Sequence, residues 1–520
     1  MSEVSHAWSW YQNGESRRMA ITFFFFLLST IIFILYRKAE KIKGMPGLPP
    51  GPRGLPLVGY LPFLPPNIHS CFADLAQIFS PVMMMKLGSK QCLILSSPEA
   101  AKEVLKDHDA TFANHDMTVA ARIITFGGQD MVFQPYGPLW RALRKVSVRE
   151  LLNAQTLNSF RTLRQQEVTL MAKELHRRKG VPVAVGQMGF LTLFNVITSM
   201  LWGNSLVAEE LETIRGEFRE QVVAIVDLLV CTNVSDIFPI LERMDLQGVQ
   251  RKMKQHKEKL DGVLSTIIDR QERTMNTHGD QEKAQDFLQV MLELVKKEDP
   301  HDQHLTVDNI KALFTNLIVA GIDTTSTTIE WAMAEMIGKP ETIRKAQEEL
   351  DSLVGKEEMV DESHLPKLPY LEALVKETLR LHPPIPFLLP RYSTATCNIG
   401  GYTIPKGTKV FINVWSIHRD PAVWENPLEF KPERFLAGVS KCDYYGNNFN
   451  FIPFGSGRRI CVGIPLVEKM SLYILATMLH CFDWSLPDGM KLDLVEKTGK
   501  KEKELVAIPT ARPSCAKLCE

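Results

Sequence analysis

One cysteine set among glycines and arginines carries the clearest chemistry in this sequence: Phe454-Gly455-Ser456-Gly457-Arg458-Arg459-Ile460-Cys461-Val462-Gly463. An apolar run, Ile464 to Leu479, follows it and reads as a helix. A thiolate there feels helix-end N–H groups and nearby guanidinium charge, and both lower a thiol pKa. The glycines let backbone approach a bulky group without Cβ collision. Arg459, two residues before the cysteine, can pair with a carboxylate of that same group. Together these suit a cysteine bound to haem iron, with Arg459 on a propionate. Taken singly the parts say less. A lone cysteine is ordinarily a small buried hydrophobe, and Gly455-Ser456-Gly457 alone reads equally as a turn or a weak phosphate loop.

Three further stretches have spacing that matters. Trp140 and Arg144 lie four apart after Tyr136-Gly137-Pro138 and share one face of a helix. Ala320-Gly321-Ile322-Asp323-Thr324-Thr325-Ser326-Thr327-Thr328 sits in the middle of a long helical pattern. Glycine and β-branched hydroxyl residues are poor helix formers, at up to ~1 kcal/mol each relative to alanine. Hydroxyls also bond back to carbonyls and bend a helix, and such a defect inside a buried helix often marks a functional site. Glu377 and Arg380 put opposite charges on one helical face, and Pro432-Glu433-Arg434-Phe435 adds another arginine downstream. A lone pair of this kind is usually a surface ion pair worth under ~1 kcal/mol.

The full pattern Phe-x-x-Gly-x-Arg-x-Cys-x-Gly resembles the haem-binding signature of the cytochrome P450 family, and the three other stretches follow in that family's order. The resemblance covers nearly the whole chain. It implies that Cys461 is the axial ligand of haem b iron, in a loop whose Phe454, Gly455, Gly457 and Gly463 hold the cofactor. It makes Trp140, Arg144, Arg459 and Arg391 propionate partners. Ala320 and Gly321 become the close approach over the iron, Thr324 the hydroxyl beside dioxygen, and Asp323 part of the proton route. Splitting O–O needs protons at the distal oxygen and a thiolate pushing electron density from the other side. By the same resemblance Glu377, Arg380 and Arg434 form a buried structural network behind the cysteine loop. Position relative to these motifs puts an apolar substrate against Phe126, Phe314, Leu317, Ile318, Ile385, Leu388, Leu389 and Val506, although each such residue is as often plain core.

The elements that must position these residues can be read coarsely. Val307 to Ile337 reads as one helix of about 30 residues and ~45 Å, with Thr306 as cap and Gly338 and Pro340 as stops. Val82–Leu87 and Gln91–Leu95 read as a hairpin, Tyr402 to Trp415 as another turning at Lys406-Gly407, and Pro98 to Lys106 as a short helix. Phe112 to Val132 reads as a long loop, residues 155–275 as mainly helical, and Arg270 to Gln285 as an exposed loop. The expected fold is mainly α with small β-sheets (α+β). The family resemblance makes it a triangular helical prism around a buried haem, preceded by one N-terminal transmembrane helix.

Met19 to Tyr36 is apolar apart from Thr22, Ser29 and Thr30. About 18 residues reach roughly 27 Å, enough to cross a bilayer core. Arg37, Lys38, Lys41 and Lys43 outnumber Arg17 and Arg18, so the bulk of the chain is expected in the cytosol. The expected organisation is a luminal segment at 1–18, an anchor at 19–36, a basic and proline-rich hinge at 37–56 and one haem domain from 57 to 520. A cleavable signal is the competing reading; the run is longer than such segments and no Ala-x-Ala site follows.

Lys+Arg and Asp+Glu both number 60, which argues against nucleic acid as a partner. Nine scattered cysteines without metal spacing fit a reducing compartment rather than a disulfide framework. The resemblance is strongest to plant microsomal members. It implies an endoplasmic-reticulum monooxygenase that inserts one oxygen atom from O2 into an apolar terpenoid, phenylpropanoid or flavonoid. Electrons come from an NADPH-cytochrome reductase, with cytochrome b5 as a further candidate partner. The strip Arg141, Lys145 and Arg149 is a candidate docking face, though most such runs are solvated faces. The other readings are a non-oxidative haem-thiolate isomerase or dehydratase, and a haem-binding sensor without turnover.

Overall fold

Apolar residues recur all round Val307–Gly338, so this 32-residue helix, about 48 Å long, is buried on most sides. In the computed structural model it packs against helices Val185–Trp202, Pro369–Leu381 and Ile464–Cys481. The structure describes residues 21–23, 30, 47–203, 208–277, 286–297, 304–436 and 442–512. The long helix starts with a reciprocal cap: the Thr306 hydroxyl accepts from Asn309 N at 3.2 Å, and Asn309 Oδ1 accepts from Thr306 N at 2.9 Å.

A five-stranded sheet flanks the helices in the order Val82–Leu87, Lys90–Leu95, Lys409–Ile412, Arg391–Tyr392, Asn114–His115. The expected first hairpin is there. Lys90–Leu95 and Lys409–Ile412 run parallel with Leu93 opposite Val410, and the other pairs are antiparallel. His115 lies directly opposite Arg391, which brings two side chains 276 positions apart in sequence to one face.

Several expectations need correction. Tyr402 to Trp415 is not a hairpin. Tyr402–Ile404 pairs backwards with Cys397–Ile399 through Gly400-Gly401, both with positive φ, while Lys409–Ile412 joins the large sheet. An alternating pattern around a glycine turn describes a strand that changes sheets as well as one that folds back. The loop at Phe112–Val132 contains the strand Asn114–His115 and a short helix Val119–Ile124, whose cap Thr118 accepts from Ala121 N. Helix Val249–Thr277 continues past Arg270, and residues 278–285 lie outside the described ones. Proline-rich residues of the expected hinge dock on the sheet: Met84 N donates to Pro50 O at 2.8 Å, and a Cβ on Gly51 would sit 2.0 Å from Met84 O.

The anchor expected at 19–36 lies outside the described residues except for Ile21–Phe23 and Thr30, and the segment 1–18 lies wholly outside them. Among the described residues one helix is long and apolar enough to cross a membrane, Val185–Trp202, and 72% of it is buried inside the protein. That helix is core.

Candidate active site

The cysteine loop is shaped by two glycines with φ near +73° and +72°, Gly455 and Gly457. A Cβ on Gly457 would lie 2.1 Å from Leu105 O, so no other residue fits there without moving backbone. Asp109 locks the same turn, accepting from Arg458 N at 3.0 Å and Arg458 Nη1 at 2.8 Å. Cys461 N donates to Phe454 O at 3.1 Å and closes the loop. The Cys461 side chain is enclosed by protein yet faces open space, because it lines an interior cavity. Burial pushes its thiol pKa up; the N–H groups of Gly463 and Ile464 and the Arg144 charge pull the other way but do not win. The helix-end effect expected from sequence is present and outweighed by desolvation. A bound metal ion would remove the proton outright.

At one end of the cavity three guanidinium groups converge. Arg144, on helix Pro138–Val146, donates to Ile460 O at 2.9 Å and lies 5.5 Å from the Trp140 ring centroid. Arg459 lies 4.6 Å from that ring and donates to Ala113 O at 2.6 Å and Met131 O at 3.0 Å. Arg391 is buried, its Nε has no hydrogen-bond partner, and its nearest carboxylate oxygen, on Asp109, is 3.9 Å away. Burial lowers both Arg391 and Arg459 to about 10, Arg459 also through repulsion from Arg391 and Arg144. His115 beside them is held neutral: burial first, then Arg391 and Arg459, push it down to about 3. A buried cluster of positive charge with an orphaned donor calls for an anion. The two propionates of a haem fit that demand, and Cys461 on the same cavity fits its iron. Trp140 Nε1 donates to Met131 O at 3.1 Å, so the indole meets the arginines through its ring rather than its N–H.

The long helix supplies a facing wall. Ala320, Gly321 and Thr324 line the cavity together with Thr325 and Thr328. Each threonine hydroxyl bonds back one turn: Thr324 to Ala320 O at 2.7 Å, Thr325 to Gly321 O at 2.7 Å and Thr328 to Thr324 O at 3.0 Å. Gly321 makes room for its neighbour as well, since a Cβ there would meet Ile197 Cδ1 at 2.8 Å. Asp323 is not among the cavity-lining residues; its Oδ1 accepts from Lys500 Nζ at 2.6 Å, on the hairpin formed by Glu496–Lys497 and Lys500–Lys501.

A family profile for cytochrome P450 matches residues 49–509. This chain belongs to the cytochrome P450 family. Its relatives include a flavonoid 3'-monooxygenase of Crocosmia x crocosmiiflora, 40% identical over 92% of this chain and 96% of the relative. A flavonoid 3',5'-hydroxylase of Campanula medium is 39% identical over 89% and 91%, and cytochrome P450 93A3 of Glycine max 39% over 94% and 96%. Among solved structures, a zebra fish cytochrome P450 with progesterone superposes with a TM-score of 0.73 at 25% identity, over 86% of this chain and 100% of that one. The chain is a cytochrome P450 monooxygenase of the plant microsomal type, with haem iron as cofactor and electrons from a redox partner.

In this P450 the Glu377–Arg380 pair is fully buried. Arg380 Nε and Nη2 donate to Glu377 Oε2 and Oε1 at 2.7 and 2.8 Å, and Arg434 Nε donates to Glu377 Oε1 at 3.0 Å. Further Arg380 donors reach His418 O and Pro427 O at 2.8 and 2.7 Å, tying helix Pro369–Leu381 to the segment leading to the cysteine loop.

Of the eight expected substrate contacts, Leu317, Ile385, Leu388 and Leu389 line the cavity. Phe314 and Ile318 do not; they are packed into the core, Phe314 against Trp202 and Phe287. Phe126 also lies off the lining, beneath the Lys257 ammonium at 3.9 Å, and Val506 is in a strand paired with Ala184. Among the lining residues not foreseen, three groups matter most. Leu193, Ile197, Met200 and Leu201 come from a helix apolar on nearly every face, so no stripe in the sequence singled them out. His115 reaches the site through strand register alone. Asn316 precedes Thr324 by eight positions on one helix, a spacing visible in the sequence.

Proposed function

We propose that this P450 hydroxylates a phenolic substrate of the flavonoid or phenylpropanoid type, Cys461 being the residue that would hold the haem iron and Thr324 the hydroxyl that would serve the oxygen chemistry. The observation that carries this reading is that Cys461 and Thr324 line one and the same cavity, whose other walls are mainly apolar. About 1630 Å³ of space lies between these walls, open mouth included. Relatives that are 38–40% identical carry names for flavonoid hydroxylation, which supports the substrate class.

When bound, the haem supplies activation of O2, one atom going to the substrate and the other to water with two electrons and two protons. The remaining work belongs to the chain. Arg144, Arg391 and Arg459 would neutralise the propionates, and Trp140 stacks against two of these guanidinium groups, Arg144 and Arg459. Glu377, Arg380 and Arg434 fix the backbone that presents Cys461. Ala320 and Gly321 would leave room beside the bound cofactor, Thr324 would offer its hydroxyl there, and Asp323 would carry protons inward once released from Lys500. Leu317, Ile385, Leu388 and Leu389 exclude water and seat the ring system.

An uncleaved helix at 19–36, with the haem domain on the cytosolic side of the endoplasmic reticulum, accounts for the apolar run and its basic flank. NADPH-cytochrome reductase, with cytochrome b5 as a second donor, meets the basic strip Arg141, Lys145 and Arg149.

The test is reconstitution in membranes with NADPH and reductase over a set of flavonoids and phenylpropanoids. The expected result is ring hydroxylation that requires both NADPH and O2. Product formed without NADPH would favour the rearranging reading, and binding spectra with no product under any condition would favour a sensor.

A further inference from the structure

The polar groups along the cavity fall into two sets. Near Cys461 they are the arginines and His115, and on the long helix they are threonines whose hydroxyl protons are already given to helix carbonyls. Asn316 belongs to neither. It lines the cavity two turns before Thr324, and eight residues of helix separate the two by ~12 Å.

Its amide is held from behind. Asn316 Oδ1 accepts from Val132 N at 3.3 Å, and the amide lies beside the fully buried Asp130, whose Oδ2 has no hydrogen-bond partner. Burial pushes the Asp130 carboxyl up to about 6, and the Asn316 amide is one of the groups that offset it. Seven residues earlier Asn309 makes a comparable tie, its Nδ2 donating to Gln129 O at 3.0 Å, but Asn309 is buried and does not line the cavity. Two asparagines therefore stitch residues 129–132 to the long helix, and only one of them also faces the substrate space. An amide has two donor hydrogens and two acceptor lone pairs. One acceptor position is used by Val132 and one donor is turned toward Asp130, which leaves one hydrogen and one lone pair on offer to a ligand.

We infer that Asn316 is a specificity-determining residue: it hydrogen-bonds a hydroxyl or carbonyl oxygen on the end of the substrate remote from the carbon being oxidised. This rests on the phenolic substrate reading above and deepens it. The ring system lies along the helix, one end at Thr324 and the other, carrying oxygen, at Asn316. A site built to hold such an oxygen discriminates against an analogue lacking it, because the amide is then left partly unpaired beside apolar walls.

The experiment compares naringenin with 4'-hydroxyflavanone, which keeps the phenol ring to be oxidised and lacks the hydroxyls at the other end. Binding to the holoenzyme is read from the substrate-induced spectral change, and turnover with reductase and NADPH is read alongside. The wild type is expected to bind naringenin roughly 3- to 10-fold more tightly, the worth of one neutral hydrogen bond. Asn316→Leu, similar in volume, is expected to bring that ratio close to one, and Asn309→Ala to leave it unchanged. A ratio unaltered by Asn316→Leu overturns the inference. So does an equal loss in Asn309→Ala, which would assign the effect to the stitching of 129–132. If Asn316→Leu does not accumulate, a wild-type ratio near one overturns the inference by itself. Absence of binding and product with both compounds, in a protein holding its haem, overturns the substrate class together with the inference; normal turnover of both with no ratio overturns the inference alone.

Discussion

At the scale of single residues, the chemistry turns on protons and on space. The Thr324 hydroxyl has one proton and gives it to Ala320 O, so using it at bound oxygen means releasing that bond, at a net cost of about 1 kcal/mol. Thr324→Ala is expected to lower product per NADPH by roughly 10-fold or more, while NADPH oxidation persists and peroxide accumulates; unchanged coupling would remove the threonine from the mechanism. Gly457 tests the loop in the same spirit. Gly457→Ala drives a Cβ against Leu105 O at a positive φ, so haem content per purified protein should fall sharply, whereas full occupancy would show that the loop can adjust. Both residues were legible through the resemblance of their motifs to the family's. His115 and Asn316 were not singled out, because one depends on strand register and the other on which face of the long helix meets the cavity.

At the scale of elements, the buried ion pair joins helix Pro369–Leu381 to the segment from His418 to Arg434 that leads to the cysteine loop. Arg380→Ala leaves Glu377 charged and buried with Arg434 as its remaining guanidinium, and is expected to cost ~3–5 kcal/mol. Little haem-containing protein should accumulate, and a yield near that of wild type would refute the joint. The long helix was legible to within a residue because its Thr306 cap and its Gly338-Lys339-Pro340 stop are local signals. Sheet changes are not local. Lys409–Ile412 could be placed beside Lys90–Leu95 only by seeing both strands together. Helix Val249–Thr277 likewise overran the expected exposed loop, since polar residues on an amphipathic helix look the same as a solvated loop in composition.

At the scale of the whole molecule, two buried neutral histidines couple stability to pH. His418 Nε2 accepts from Ile452 N at 2.9 Å, and burial with Arg380 and Arg419 nearby pushes it down to about 3; His115 behaves alike. Their folded pKa values lie below the unfolded value of about 6.5, so the unfolded chain binds the extra protons. Stability present above pH ~6.5 is lost as pH falls toward about 3, at up to ~1.4 kcal/mol per unit for each. Asp130, raised to about 6 by burial, works in the opposite sense below that pH. Equilibrium urea unfolding of the holoprotein should show stability falling from pH 7 to 5, and His418→Gln should reduce that fall by about 2 kcal/mol; an equal fall in the variant would show that His418 is not held neutral. The cavity, its basic end and the long helix all converge on one sulfur. X-ray absorption at the iron edge of the purified holoprotein is predicted to find one sulfur neighbour that disappears in Cys461→Ser. An iron shell without sulfur in the wild type, or one unchanged by the substitution, would contradict the account.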